Sequence, residues 1–191
     1  FAILDHKTTT VPDFSLNDMP GGAGRMDVLL FHCINTSFFL SHDLRHNHNM
    51  ECYLLQQHGG KTHKSLRLSG ETIRWSLNPD ERSAGALIKK GLSTPAGPEF
   101  KKAVDCIAIR STVFAELLQV FSFAVLDENS EDIRKAETLP ENYILTDHIN
   151  FTEDEEELLK DLPSYSLGPR VLHADHTITV ILNEFDLREE A

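Results

Sequence analysis

"YSLGPRVLHADHTITVILNE", residues 165–184, decides how the second half of this chain is read. A short strand-like run, Tyr165–Leu167, meets Gly168-Pro169, and a helical pattern follows from about Val171 to Arg188. Glycine lets the backbone approach a neighbour closely, and proline fixes the direction in which the chain leaves. His173 and His176 stand at the start of the helix, three apart on one face, with Asp175 between them. That spacing admits a metal ion, but a zinc site needs a third and usually a fourth ligand. Only His148 is an evident helper, and H-E-x-x-H is absent. The stretch therefore reads as a strand-to-helix turn whose chemistry is its own backbone N–H and C=O groups, and no metal is expected.

Working outward, Ser122–Leu126 and Tyr143–Thr146 are strand candidates, the second ending at Asp147. "TEDEEELLKDL", 152–162, is a helix with Thr152 as cap and an acidic first turn that suits the positive end of the helix dipole. Upstream, Phe1–Asp5 reads as a strand, and "PDFSLNDMPGGAGR", 12–25, as a loop. Arg25 to Ser41 is helical, with Leu29, Leu30, Cys33, Ile34, Phe38 and Leu40 on an apolar stripe. Met50–Gln56 and Lys64–Leu68 are strands. "NPDERSAGALIKKGL", 78–92, is a helix with Asn78 placed to cap, Pro79 in the first turn, and Lys89 and Lys90 near the negative end. Cys106–Arg110 is a strand and Thr112–Phe121 a helix. Strands alternate with helices, so the expected fold class is α/β: a mostly parallel sheet with helices on both faces. In such sheets ligands bind where strands deliver their carboxyl ends to loops. Three such loops follow Leu126, Leu145 and Leu167.

At 191 residues, a single domain over 1–191 is expected, long enough to bury about 70% of its unfolded surface. No apolar run approaches the ~20 residues of a membrane helix, and there is no secretory pattern. The chain opens at Phe1 within an apolar run, so a start further upstream is expected. The three cysteines, Cys33, Cys52 and Cys106, are far apart and odd in number, which suits a reducing cytoplasm without structural disulfides. The net charge of −12 argues at first against nucleic acid, but it is uneven. Residues 1–90 carry ten Lys and Arg against nine Asp and Glu, and residues 91–191 carry eight against twenty-one. The first half can therefore approach phosphates.

Nucleophile-elbow, dinucleotide and P-loop motifs are absent. Gly21-Gly22-Ala23-Gly24 follows no strand and reads as a turn before a helix. Three charged clusters remain: Arg25 with Asp27; His42, Asp43 and Arg45; and Asp80, Glu81 and Arg82. Arginine suits phosphate because its planar fork donates two parallel bonds, though surface ion pairs and caps use the same residues.

Five blocks occur in order: "FSLNDMPGGAGRMDVL" (14–29), "SFFLSHDLR" (37–45), "NPDERS" (78–83), "LTDHI" (145–149) and "SLGPRVLHADHTITVILNEFD" (166–186). Together they resemble the archaeal tRNA pseudouridine N1-methyltransferase family of the SPOUT class, from about Phe1 to Leu187. The resemblance implies a deep trefoil knot at the C-terminal end, an exception to the rule that chains are un-knotted. It implies S-adenosylmethionine as methyl donor, held by three loops within a knot region at about 122–188. A homodimer packed through the knot is implied too, with tRNA as substrate at the T-loop pseudouridine numbered 54. Carried onto this chain, the first donor loop follows Leu126. The second holds Thr146, and the third runs from Ser166, Leu167, Gly168 and Pro169 through Val171 to Thr177. Relatives often have glycine at position 146 and cysteine at 177, so those two threonines are departures. Asp27 and Asp43 are candidate general bases, and Arg25 and Arg45 candidate anion-stabilising cations. Arg25, Arg45, Arg82 and Arg110 are RNA-binding candidates. Two alternatives stay open: the same chemistry on ribosomal RNA, or a knotted RNA-binding dimer without catalysis.

Overall fold

The computed structural model describes residues 1–19, 28–54, 63–73 and 77–189, with only the backbone path given at 28–30. Four consecutive residues of β1 (Ala2–Asp5) are buried, which places this strand at the centre. The acid at its end is accommodated because Asp5 folds back, its Oδ1 accepting from the Thr8 N–H at 2.9 Å. On one side β1 pairs in parallel with β2 (Asn49–Leu54), Ile3 opposite Cys52. On the other it pairs in parallel with β7 (Ile144–Thr146), Ile3 opposite Leu145.

The remaining strands of this sheet are β3 (His63–Ser69), β4 (Lys101–Val104) and β5 (Ile107–Thr112), and its order is β4-β5-β3-β2-β1-β7. The ladders β2–β3, β3–β5 and β4–β5 are antiparallel. The expectation of a mostly parallel sheet is thus corrected to a mixed one. The reason is connection length: β2 and β3 are eight residues apart and β4 and β5 two, too few for the dozen-residue crossover that parallel neighbours need. Strand β4 was missed because "KKAV" has weak strand character.

A second pair, β6 (Val125–Leu126) and β8 (Ser164–Tyr165), is parallel. It joins the main sheet at Ala124, whose N–H donates to the Asn142 carbonyl at 2.9 Å while its carbonyl accepts from the Ile144 N–H at 3.1 Å. So β2, β1, β7, β6 and β8 all run the same way. The sheet is antiparallel in one half and parallel in the other.

Helices cover both faces. Ile3, Cys52, Leu66, Ile109 and Leu145 meet α1 (Val28–Phe38), α2 (Glu81–Leu92) and α5 (Ala174–Glu189). Ala2, Leu4, Tyr53 and Ile144 meet α3 (Phe114–Val120) and α4 (Glu153–Leu159). The stripe of α1 is buried at Cys33, Ile34 and Phe38, but Leu40 is exposed because the helix has already stopped. The cap of α2 is Asp80 and not Asn78: Asp80 accepts from the Ser83 N–H at 2.9 Å, three residues on, where an N-cap oxygen belongs. Thr152 caps α4 with Glu155 completing a reciprocal capping box. Cys33, Cys52 and Cys106 are free and buried.

The α3 face also holds a buried carboxylate. Glu51 accepts from Tyr53 Oη at 2.6 Å, from Ser65 Oγ, and from Arg67 and Arg110 at 2.9 and 3.2 Å. Burial opposes its charge, and these donors outweigh burial and hold its pKa below the usual carboxylate value. Glu51→Ala leaves two arginines without their anion. It is expected to cost about 3 kcal/mol, the low end for a broken buried pair because Arg67 stays partly in water, read as the urea unfolding midpoint.

Candidate functional site

Because β1, β7, β6 and β8 are parallel, their carboxyl ends reach one edge of the sheet together. There the chain encloses a cleft of about 770 Å³, in the range of small-molecule sites. Its walls are the three turns foreseen in the sequence, with the start of α5 and one side of α4. Aliphatic side chains line it at Leu126, Ile144, Leu145, Leu159 and Leu172, and acids at Asp127, Glu128, Asp147 and Glu156; Arg170 and Lys160 are also on the lining.

Six of the residues expected to touch a donor line this cleft: Leu126, Thr146, Leu167, Gly168, Val171 and Thr177. Ser166 and Pro169 are not on the lining. Ser166 is buried behind it, and its hydroxyl donates to the Glu128 carbonyl at 3.3 Å and accepts from the Gly168 N–H at 3.1 Å. It ties the first turn to the third instead of facing the cleft. Gly168 has φ +144°, a conformation that L side chains rarely adopt, and a Cβ there would meet nothing within 4 Å. Its constraint is conformational, and the space beside it is open. Val171 is 79% exposed at the mouth.

The second turn is held by two short hydrogen bonds of its own. Asp147 Oδ1 accepts from the Ile149 N–H at 2.8 Å, and Thr146 Oγ1 donates to the Ile149 carbonyl at 2.7 Å. Behind Asp147 lies His6, at the end of β1 and 3% exposed. Its N–H donates to Asp147 Oδ2 at 2.9 Å, its Nδ1 is 3.1 Å from Asp147 Oδ1, and its Nε2 is 3.0 Å from Glu155 Oε2. With a carboxylate on each ring nitrogen, both must donate, so the ring is an imidazolium. The Asp147 hydrogen bond is the largest influence and, with Glu155, overcomes burial and raises the His6 pKa to about 9. Burial alone would raise Asp147, but the donors from His6 and Ile149 hold it below its usual value. Sequence reasoning did not find His6. It lies 141 residues from Asp147, and only the parallel register of β1 on β7 brings the two together.

His173 and His176 are exposed at the start of α5, ring centroids 6.1 Å apart. Among the described residues, no group of three or more metal-ligating side chains is placed to hold an ion. Among the same residues no helix is long and apolar enough to cross a membrane.

The family described as "Putative SAM-dependent RNA methyltransferase" matches residues 1–190. The chain belongs to this family. The tRNA (pseudouridine(54)-N(1))-methyltransferase of Methanocorpusculum labreanum is 63% identical, with 100% of this chain and 97% of the relative covered. The protein of that name from Methanospirillum hungatei is 44% identical over 98% and 96%. The fold resembles that of Archaeoglobus fulgidus Nep1, crystallised with S-adenosylhomocysteine, at a TM-score of 0.62 and 13% identity, covering 100% of this chain and 98% of that one.

In this methyltransferase chain the other candidates are spread out. Arg25 and Asp27 lie outside the described residues. Asp43 and Arg45 precede β2 and so sit at the sheet edge opposite the cleft. Arg45 forms a bidentate pair with Asp186 near the far end of α5, one bond of it 2.6 Å. Arg110 is directed at Glu51 and the Tyr53 hydroxyl and stacks on Phe100, which leaves it poorly placed to reach a phosphate. Arg82 is exposed and bonds Asn17 at 2.6 Å.

His6 gives a pH test of this site. Its folded pKa is above its unfolded one, so its contribution to stability is complete below pH 6.5 and lost as pH rises through about 9. The unfolding temperature is expected to fall over that interval in wild-type protein, with a shallower fall in His6→Gln, as measured by calorimetry at matched pH.

Proposed function

We propose that this chain transfers the methyl group of S-adenosylmethionine to N1 of pseudouridine 54 in the T-loop of tRNA. The observation that carries this reading is identity of 63% across the whole chain to a relative named for that reaction, against 13% to Nep1. The cleft fits the donor chemically. Aliphatic walls at Leu126, Leu145 and Leu172 suit an adenine face, and the acids Asp127, Glu128 and Glu156 suit the positive charge of a sulfonium and an ammonium. The open space beside Gly168 leaves backbone accessible to a ring edge. Thr146 and Thr177, which the resemblance to the family marks as departures, both line the cleft.

When bound, the donor supplies a methyl carbon on a sulfonium that leaves as a neutral thioether. The new bond forms from N1 of the base as the carbon–sulfur bond breaks, its electron pair passing to sulfur, and the N1 proton goes to a carboxylate or to solvent. The protein's part is to place nucleophile, carbon and sulfur in line, and that alignment supplies much of the rate. Asp27 is the proposed base and Arg25 the proposed anion-stabilising cation; Asp43 and Arg45, across the sheet from the cleft and with Arg45 paired to Asp186, are set aside for those roles. Among the described candidates, Arg82 is the proposed phosphate contact best placed by exposure. The reading extends to a single domain over 1–191, a trefoil knot at about 122–188, a homodimer packed through it, and work in the cytoplasm beside tRNA. Ser166 bonds the Glu128 carbonyl, and Arg188 of α5 donates to the carbonyls of Ile133 and Ala136, so the segments of the proposed knot lie together.

Mass spectrometry of nucleosides from unmodified tRNA and small-subunit rRNA, each carrying pseudouridine and incubated with protein and donor, tests the substrate. N1-methylpseudouridine is expected in tRNA only. Product in rRNA alone would move the substrate, and product in neither would remove the catalytic reading. Gly168→Val forces a β-branched residue to a positive φ, and is expected to weaken S-adenosylhomocysteine binding about tenfold or more in calorimetry while leaving tRNA binding within about twofold.

A further inference from the structure

Glu155 has two duties at one place. Its Oε2 accepts from the Thr152 N–H at 2.8 Å, closing the capping box of α4, and also faces His6 Nε2 at 3.0 Å. The other ring nitrogen of His6 faces Asp147, which organises the second turn. One buried ring thus joins the end of β1, the turn after β7 and the first turn of α4. Two of those three, Asp147 with its turn and α4 with Glu156, Leu159 and Lys160, are walls of the cleft. His6 itself does not line it.

We infer that His6 is a positioning residue of the donor site: its doubly bonded imidazolium clamps the second turn to α4 and so fixes the distance between two walls of the cleft. This rests on the donor occupying that cleft. Among the described residues, the charged groups that act on the ring are Asp147 from the β7 turn and Glu155 from α4, and His63 from β3 shares the field of Glu155. On its own segment Asp5 is turned towards the N–H groups of Lys7 and Thr8, and Lys7 is exposed. Among the described residues both ring nitrogens therefore face carboxylates, and loss of one proton leaves one carboxylate without its ring donor. The raised pKa keeps the clamp closed at neutral pH and opens it in the alkaline range.

The test uses wild-type protein, His6→Gln, and Glu155→Gln, the last because glutamine keeps the capping acceptor while removing the charge opposite the ring. Amide hydrogen exchange at Asp147 and Ile149 is followed without ligand, and S-adenosylhomocysteine binding is followed by calorimetry across pH 7 to about 10. In both variants at pH 7, exchange is expected to be about tenfold faster and binding about tenfold weaker, the scale of one charge-assisted hydrogen bond. Turnover at saturating donor should stay within about twofold of wild type, since the lost contact acts on binding and not on the transition state alone. Wild-type affinity should fall through pH 9 and the His6→Gln affinity should not. Equal exchange in all three proteins overturns the clamp. Faster exchange with unchanged affinity and a flat pH profile makes His6 merely structural and also overturns the inference. Failure of wild-type protein to bind S-adenosylhomocysteine at any pH removes the donor reading itself, and the inference with it; binding by all three with equal affinity removes the inference alone.

Discussion

The parallel seat of β7 beside β1 is the contact on which the rest depends. Ala2 lies opposite Ile144, and the Asp147 N–H donates to the Leu4 carbonyl at 3.0 Å. Those pairs close a loop of some 140 residues, a large entropy cost that local propensity cannot meet. It is offset by burial on both faces, with Ile3 and Leu145 towards α1 and α5, and Leu4 and Ile144 towards α3 and α4. Once the register is set, the turn after β7 must fall beside the end of β1. The turns after β6 and β8 then follow by their own pairing through Ala124.

Helix α5 carries this geometry across the molecule. Ala174, Ile178 and Leu182 pack into the core of α1 and α2, while Ile181 and Phe185 face a second cluster with Ala124, Ile133 and Tyr143. The helix is apolar on two sides because it is wedged between two bodies of structure. Its first turn borders the cleft at Ala174 and Thr177, and its last turns hold Arg45 through Asp186 and the 133–137 segment through Arg188. A 16-residue helix spans about 24 Å, enough to link the cleft edge of the sheet to the opposite edge.

Much of this was legible in the sequence where the signal is local. The Thr152 cap, the strand ending at Asp147, and the glycine-proline turn before α5 are each stated within a few residues, and the structure brings the turns after Leu126, Leu145 and Leu167 to one cleft. What was not legible depends on distance along the chain. His6 and Asp147 carry no shared local pattern, Glu51 looks like an ordinary strand-edge acid until Arg67 and Arg110 reach it, and Arg45 looks like a free cation until Asp186 claims it. The antiparallel half was misjudged for a related reason: alternation of strands and helices suggests crossovers, but the eight residues between β2 and β3 and the two between β4 and β5 permit only hairpins. Ser166 lies in the third turn with its hydroxyl behind the cleft, and a buried hydroxyl that donates to one carbonyl and accepts from one N–H cannot be told from a ligand contact by its neighbours in sequence.

A crystal structure of the protein grown with S-adenosylhomocysteine tests the cleft most directly. Density for the compound between the turns at Leu126, Thr146 and Gly168, with its adenine against Leu172, is the expected result. An unfilled cleft in crystals holding the compound at another place on the chain would contradict it.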